Sequence, residues 1–145
     1  MEIRKPDDNE LEVIFSLSPQ AISEGTMGEA AIGAEKINDF VAPILNKGGS
    51  YLAAFEQDNI IGWVLVAGGK DSFTDSLFGF IYELYVVASY RGNGIAEKLL
   101  HAAFDYFQQA GLSEVRLSVY AGNKAIGLYK KLGFNEKTIT MRKWL

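Results

Sequence analysis

The sequence contains no cysteine and only one histidine, His101, among its 145 residues. The absence of cysteine excludes disulfide scaffolds, cysteine-ligated zinc or iron–sulfur sites, and thiol nucleophiles. A single histidine also excludes a multi-histidine metal centre, and we expect no metal cofactor. A Ser-His-Asp triad would need His101, which the helical pattern around it places on a polar helix face, so that mechanism is rejected as well.

Long apolar runs and basic clusters are missing too. The longest apolar stretch, about residues 60–68, is far shorter than the roughly 20 residues of a membrane helix. Residues 1–8 lack the apolar run of a secretory signal. We therefore expect a cytoplasmic protein with no membrane partner. A formal net charge of −4 and a pI near 5.0, with no basic run, argue against a nucleic-acid partner.

The charge is unevenly distributed along the chain. Residues 1–60 carry four basic and eleven acidic side chains, whereas residues 61–145 carry ten basic and seven acidic ones. Such an asymmetry indicates either that the two halves face different ligands or that surface charge is simply scattered.

Length and periodicity predict one globular domain over residues 1–145, of α/β (α+β) class, with a mixed sheet. Segment 18–33, with Pro19 and several glycines, is expected to be irregular or weakly helical, and residues 68–76 a polar loop. The predicted order is β-α-α-β-β-β-α-β-α-β, with strands over residues 2–5, 50–55, 60–67, 77–87, 114–120 and 134–144, and helices over about 7–17, 34–46, 94–110 and 123–132.

A glycine turn separates the strand that ends near Val87 from the helix that begins near Gly94. Gly92 and Gly94 allow a ligand to approach the backbone closely, and the free N–H groups of the helix start suit a phosphate. A dinucleotide fingerprint would need a glycine where Glu97 stands. The tract Gly68-Gly69-Lys70-Asp71 lacks the hydroxyl and the helix of a P-loop. The turn alone does not decide between a phosphate site and a purely structural bend.

A second segment helps to decide between these two interpretations of the glycine turn. It runs Asn123-Lys124-Ala125-Ile126-Gly127-Leu128-Tyr129-Lys130-Lys131-Leu132-Gly133-Phe134. It resembles the Asn-x-x-Ala-x-x-x-Tyr-x-x-x-Gly-Phe motif of the GNAT superfamily of acetyl-CoA-dependent N-acetyltransferases. Arg91-Gly92-Asn93-Gly94-Ile95-Ala96 is similar to the family's Gln/Arg-x-x-Gly-x-Gly/Ala pyrophosphate motif. The resemblance in motif covers about residues 80–135, and the predicted order of elements agrees with the family over the whole chain.

The resemblance implies a fold and a set of cofactor contacts. The expected fold is a mixed, largely antiparallel central sheet flanked by helices, with the fourth and fifth strands splayed around the pantetheine arm of acetyl-CoA. A backbone N–H near Val86 would steady the thioester oxygen. The pantetheine arm would meet backbone groups of Leu84, Tyr85 and Val86, and the pyrophosphate would be wrapped by Arg91, Gly92, Asn93, Gly94, Ile95, Ala96 and Glu97.

Three further residues are candidates for the site. Asn123 either caps a helix or reaches the cofactor. Tyr129 is expected to protonate the leaving thiolate, the alternative being a buried tyrosine with a structural hydrogen bond. Glu83 interrupts an otherwise apolar or aromatic strand, and is either a base acting through water or a structural or substrate-binding carboxylate. Glu97, His101 and Asp105 share a helix face, which is typical of solvated surface rather than a metal site.

The resemblance, together with the charge distribution, implies acetyl transfer from acetyl-CoA to a primary amine, in particular a small cationic amine, by direct attack in a ternary complex. Residues 18–36 and 68–76 are expected to contact the acceptor. Ser118 stands where members that acetylate ribosomal-protein N-termini carry a catalytic glutamate, which argues against that acceptor. Alternatives are a protein lysine, an antibiotic amine, or a non-catalytic acyl-CoA-binding or sensor domain. A homodimer is compatible with the resemblance, because dimers are common in the family.

Overall fold

The computed structural model describes all residues, 1–145, and consists of a five-stranded sheet with helices on both faces. The strands lie in the order β1-β2-β3-β4-β5, antiparallel except for the parallel pair β4–β5. The strands are β1 (Glu2–Arg4), β2 (Ser50–Glu56), β3 (Asn59–Lys70), β4 (Leu77–Val86) and β5 (Val115–Leu117). The helices are α1 (Asp8–Gly25), α2 (Ala34–Asn46), α3 (Ile95–Gln109) and α4 (Ile126–Lys131). No helix is long and apolar enough to cross a membrane.

Two apolar layers hold the helices to the sheet. Alternate side chains of a strand point to opposite faces, so Tyr51, Ala53 and Phe55 of β2 face α1 and α2, while Leu52 and Ala54 face α3. The central strand β3 contributes to both layers and is buried along most of its length. The mixed sheet flanked by helices agrees with the predicted fold class.

Helix α1 is longer than predicted and passes through Pro19. The helix begins at a capping box in which Asp7 and Glu10 exchange hydrogen bonds of 2.8 Å. Beyond Pro19 the apolar face continues, because Ser18 and Ala21 are buried against the sheet in line with Ile14. Burial of this face outweighs the backbone hydrogen bond that proline removes. Of the two structures predicted for residues 18–33, irregular or weakly helical, the helical one is therefore present up to Gly25.

A β-bulge interrupts the pairing of β3 with β4. Leu65 pairs with Glu83 and Val66 pairs with Ile81, so Tyr82 is an extra residue on β4. A bulge re-aims the side chains that follow it. As a result Tyr82 packs in the layer under α1 and α2, and Glu83 lies on that same face, opposite Leu65.

The sheet opens between β4 and β5. These strands pair only from Gly79 to Ile81 and from Val115 to Leu117. Beyond Ile81, β4 continues to Val86 without a partner on that side. The predicted splay is therefore present, and it is also the reason why β5 is much shorter than the predicted 114–120.

The last predicted strand, residues 134–144, is not formed. The amide of Phe134 instead closes a turn onto the Tyr129 carbonyl (2.9 Å), and the segment beyond it pairs with no strand. Ile139, Met141 and Trp144 are largely exposed there. The β-branched and apolar pattern favoured a strand, but a strand requires an available edge, and β5 offers only three paired residues. The prediction of a final β-strand after the last helix was therefore wrong.

Candidate active site

The opening between β4 and β5 is the floor of a cleft of about 460 Å³. Four of the sequence-predicted residues line it together: Glu83, Leu84, Asn123 and Tyr129. The end of α1, the following loop and the first half of α2 form the opposite wall. The splay therefore brings the predicted acid, the predicted base and part of the predicted cofactor site into one space.

The backbone of β4 presents unpaired N–H groups to this cleft. The Gly79 amide donates toward β5, to the carbonyl of Glu114 (2.8 Å), and the Val87 amide donates toward β3, to Ile61 (2.9 Å). Donor directions alternate along a strand, and the bulge at Tyr82 shifts the alternation by one residue. The N–H groups of Leu84 and Val86 therefore face the open side. An extended ligand arm could add there as a strand does.

The glycine turn lies at the end of β4. Gly92 and Gly94 have φ angles of +83° and +74°, a region that favours glycine. No protein atom lies within 4 Å of a Cβ placed at either position, so the space beside the turn is open. The first amide to bond within α3 is that of Lys98, which donates to Gly94 (3.2 Å). The N–H groups of Ile95, Ala96 and Glu97 precede that bond and remain available to an anion.

Arg91 differs from the other residues of the turn. Its amide donates to Ala88 (3.3 Å), and its guanidinium donates to the Val86 carbonyl (2.8 Å) and to both oxygens of Glu24 (3.1 and 3.3 Å). Arg91 thus fixes the turn against α1 rather than offering its N–H to the open space. The side chain of Asn93 likewise donates to the Tyr90 carbonyl (3.0 Å).

Asn123 caps the turn that immediately precedes the last helix. Its side-chain oxygen accepts from the Ala125 amide (2.9 Å), and its side-chain nitrogen lies 3.4 Å from the Gly25 carbonyl. The family motif has two residues between its asparagine and its alanine, whereas only Lys124 separates Asn123 from Ala125. The helix starts later than predicted, at Ile126, because residues 123–125 form this capped turn.

Tyr129 projects from α4 into the cleft. Burial alone raises the pKa of its hydroxyl above the ordinary value of 10, with no charged or hydrogen-bonding neighbour contributing. The hydroxyl is therefore protonated at neutral pH and can donate. Its ring packs edge-on against Phe134 at 5.7 Å between centroids, which explains why a Gly-Phe turn follows the helix.

Glu83 is the half-buried carboxylate that lines the cleft. Burial raises its pKa to about 7, and a hydrogen bond from the Trp63 indole opposes that rise. A carboxyl group that titrates near neutral pH can accept a proton from a substrate and release it. On geometry and pKa, Glu83 can serve as a base.

Several cleft residues were missed by sequence reasoning. Asp39 and Phe40 of α2 line the cleft, and so does Tyr82, because the bulge turns it toward that side. No motif marks any of them, and the bulge has no signal in the sequence.

The two segments that were expected to contact the acceptor differ in their position relative to the cleft. Residues 68–76 contribute nothing to the cleft, since they lie at the other end of β3 and β4. Residues 18–36 do line it, together with Asp39 and Phe40. The acidic excess of residues 1–60 mostly lies elsewhere or is paired. Asp39 and Lys36 are the two charged cleft residues from that half, while Glu24 and Glu29 are bound to Arg91 and Arg142.

A family comparison agrees with this geometry. The model of the acetyltransferase (GNAT) family matches residues 20–134. The matched region includes α2 to α4 and every candidate residue of the cleft and the turn. The chain belongs to the GNAT acetyltransferase family.

Individual relatives share part of their length with this chain. N-alpha-acetyltransferase 30 of Schizosaccharomyces pombe is 37% identical over 82 residues, which are 56% of this chain and 54% of that protein. The [ribosomal protein bS18]-alanine N-acetyltransferase of Haemophilus ducreyi is 36% identical over 97 residues, 65% of this chain and 63% of that protein. The chain therefore matches less than two thirds of the length of either.

The fold also matches solved structures. A Clostridium acetobutylicum protein described as an acetyltransferase, and solved with acetyl-CoA, superposes with a TM-score of 0.77 at 22% identity. The superposition covers 98% of this chain and 94% of that one. At this identity the likeness establishes the fold.

Proposed function

We propose that the chain transfers an acetyl group from acetyl-CoA to a primary amine by direct attack in a ternary complex, with Glu83 and Tyr129 as its catalytic residues. The observation that carries the proposal is the cleft itself. It holds a carboxyl group that titrates near neutral pH and a protonated tyrosine, on either side of an open strand edge. A non-catalytic acyl-CoA-binding domain would need neither group.

The residues at the open edge and the turn suit acetyl-CoA. The free N–H groups of Leu84 and Val86 match the amides of an extended pantetheine arm. The glycine turn and the first N–H groups of α3 match a pyrophosphate. The related fold solved with acetyl-CoA supports the same assignment. When bound, acetyl-CoA supplies the acetyl group and a thiolate leaving group.

Side chains of this protein would accept and donate the protons of the reaction. An alkyl ammonium has a pKa of about 10 and must lose a proton before it attacks. Glu83 would take that proton, directly or through one water, before the C–N bond forms. Tyr129 would give its hydroxyl proton to the sulfur as the C–S bond breaks, and the second proton on nitrogen would return to the Tyr129 oxygen, directly or through solvent. The N–H of Val86 would stabilise the carbonyl oxygen as it gains charge.

The acceptor we favour is a small cationic amine. Glu83 and Asp39 are carboxyl groups that can hold an ammonium ion, while Phe40 and Tyr82 offer apolar surface beside them. Lys36 offsets part of that acidic character, so the preference for cations rests on Glu83 and Asp39 rather than on the acidity of the whole first half.

A peptide α-amine is the second candidate acceptor. It is favoured by the names of two relatives, an N-alpha-acetyltransferase and a [ribosomal protein bS18]-alanine N-acetyltransferase. Ser118 lines the cleft at the position discussed above, so a peptide acceptor would have to rely on Glu83 as its base.

An amine panel tests the proposal. Release of free CoA from acetyl-CoA would be followed with diamines, aminoglycosides, lysine peptides, peptides with free N-termini, and neutral or acidic amines. We expect turnover with small cationic amines and little with acidic ones. Turnover confined to peptide N-termini would favour the second acceptor. Binding of acetyl-CoA with no turnover on any amine would favour a binding domain.

A further inference from the structure

A row of side chains crosses the sheet and ends at the cleft, with Tyr51 and Leu65 buried and Glu83 half-buried. Tyr51 of β2 pairs with Leu65 of β3, and Leu65 pairs with Glu83 of β4. Trp63, two residues before Leu65, lies on the same face and is fully buried. All of these side chains are covered by α1 and α2, so the surroundings of Glu83 are set by the sheet as well as by the cleft.

Trp63 is the one group of the chain that hydrogen bonds to the Glu83 carboxylate, through its indole N–H to Oε1. The indole has little freedom, since its ring lies 4.9 Å from the Tyr85 ring, centroid to centroid. Burial, and after it the charge of nearby Glu83, raise the pKa of the Tyr51 hydroxyl, yet that buried hydroxyl makes no hydrogen bond. The two neighbours therefore differ in one respect: Trp63 donates to the carboxylate and Tyr51 does not.

We propose that Trp63 is a positioning residue for Glu83: its indole N–H holds one carboxylate oxygen and leaves the other directed at the acceptor in the cleft. This inference rests on the proposed role of Glu83 as the base. A carboxylate with one oxygen held by a rigid donor keeps a single orientation and is stabilised in its ionised form. An unheld side chain in a cleft of this size would sample several orientations.

Other charged or titratable groups also face this region. These groups are Tyr51 of β2, Tyr82 and Tyr85 of β4, Glu24 of α1 with its partner Arg91, and Lys36 and Asp39 of α2. Burial raises the pKa of Tyr51 and of Tyr85, and the Arg91 guanidinium lowers the pKa of Glu24. A titration at Trp63 that disappears in Glu83→Gln would report Glu83.

The direct test is the indole N–H signal of Trp63 in ¹⁵N-labelled protein between pH 5.5 and 8.5. The chain has two tryptophans, and Trp144→Phe, an exposed position, assigns the two signals. We expect the Trp63 signal to shift with a midpoint near pH 7 in the wild type and to stay constant in Glu83→Gln. A signal that does not titrate in the wild type would overturn the inference without requiring any folded variant of Trp63.

The activity test compares Trp63→Phe with Tyr51→Phe. Loss of the hydrogen bond to ionised Glu83 should raise the pKa of Glu83. The midpoint of the rise in rate with pH, here called the acidic midpoint, should then move up by about one pH unit. Turnover of Trp63→Phe should then fall about fivefold at pH 7 and recover at pH 9. Tyr51→Phe removes a hydroxyl that makes no bond, so its profile should match the wild type. An acidic midpoint that does not move in Trp63→Phe, or an equal shift in both variants, would overturn the inference.

The two proposals fail in distinguishable ways. Full activity of Glu83→Gln, together with a titrating Trp63 signal in the wild type, would remove Glu83 as the base and contradict the proposed function. An inactive Glu83→Gln together with a Trp63 signal that does not titrate would leave the proposed function standing and contradict the positioning role of Trp63.

Discussion

The Glu24 carboxylate, near the end of α1, binds the Arg91 guanidinium in the glycine turn through contacts of 3.1 and 3.3 Å. Gly25, the next residue of α1, lines the cleft. This ion pair therefore joins one wall of the cleft to the glycine turn. Both side chains are nearly half exposed, so the pair is expected to contribute at most about 1 kcal/mol to stability.

Glu24→Gln should alter substrate binding more than stability. Without the pair, the end of α1 loses its link to the turn, and we expect the acceptor KM to rise by up to about fivefold, the equivalent of 1 kcal/mol. Glu29→Gln is the matched control, because Glu29 forms a similarly exposed pair with Arg142 (2.7 Å) away from the turn. Steady-state kinetics check this expectation. Equal KM values in the two variants would contradict the coupling.

Gly94→Val should abolish most acetyl-CoA affinity. The positive φ of Gly94 makes any side chain unfavourable, and the new side chain would project into the open space beside the turn. Gly111→Val is the control, since Gly111 also has a positive φ (+80°) and open surroundings but lies at the other end of α3. We expect similar losses of melting temperature in both variants and at least a tenfold weaker affinity, by calorimetry, only in Gly94→Val. Equal affinities would remove the turn from the cofactor site.

Tyr129→Phe should lower turnover at least roughly tenfold with little change in acetyl-CoA affinity, since general acid catalysis is worth about 10²–10⁴-fold. No neighbouring group contributes to the pKa of this hydroxyl beyond burial, so its loss should leave the melting temperature nearly unchanged. Tyr106→Phe, on α3 outside the cleft, is the control for a generic loss of a phenol. A Tyr129→Phe variant with the kinetics of the control would show that the hydroxyl is not the acid.

Glu83→Gln should change stability in a pH-dependent way. The folded-state pKa of Glu83 is raised from 4.5 to about 7 by burial, so the folded state binds this proton more tightly than the unfolded chain. Wild-type stability should then fall as the pH rises from about 4.5 to 7, by up to about 3 kcal/mol in total. The glutamine side chain does not titrate, so the variant lacks this pH-dependent loss of stability. Its amide oxygen can still accept a hydrogen bond from Trp63. Its melting temperature, measured against that of the wild type, should rise by several degrees between pH 5 and pH 8. A constant difference would contradict a buried, titrating Glu83.

Local patterns predicted most of the fold. Helix α2 was predicted with the bounds that the structure shows, because the spacing of its apolar residues is a local pattern. The glycine turn before α3 was located for a similar reason, since its positive-φ glycines are close together in the sequence. The splay was expected from the family resemblance, and the pairing of β4 with β5 confirms it.

Features that depend on tertiary contacts were not predicted. The continuation of α1 beyond Pro19 depends on burial of Ala21 against the sheet. The bulge at Tyr82 depends on how β3 and β4 pair. The strand predicted over residues 134–144 failed because pairing needs a neighbouring edge, which no sequence window reveals. Glu83 and Tyr129 were predicted from the sequence, whereas Trp63 and Asp39 were not. Only the fold brings Trp63 to Glu83 and places Asp39 in the cleft.

The central claim is that Glu83 and Tyr129 move the protons of acetyl transfer to an amine in this cleft. The most direct measurement is the rate of CoA release, from pH 6 to 9, with the best amine of the panel, for the wild type, Glu83→Gln and Tyr129→Phe. The account predicts a wild-type rate that rises through a midpoint near pH 7, a Glu83→Gln variant that has lost that rise, and a Tyr129→Phe variant that keeps it at a rate at least about tenfold lower. Wild-type rates and profiles in both variants would contradict the account.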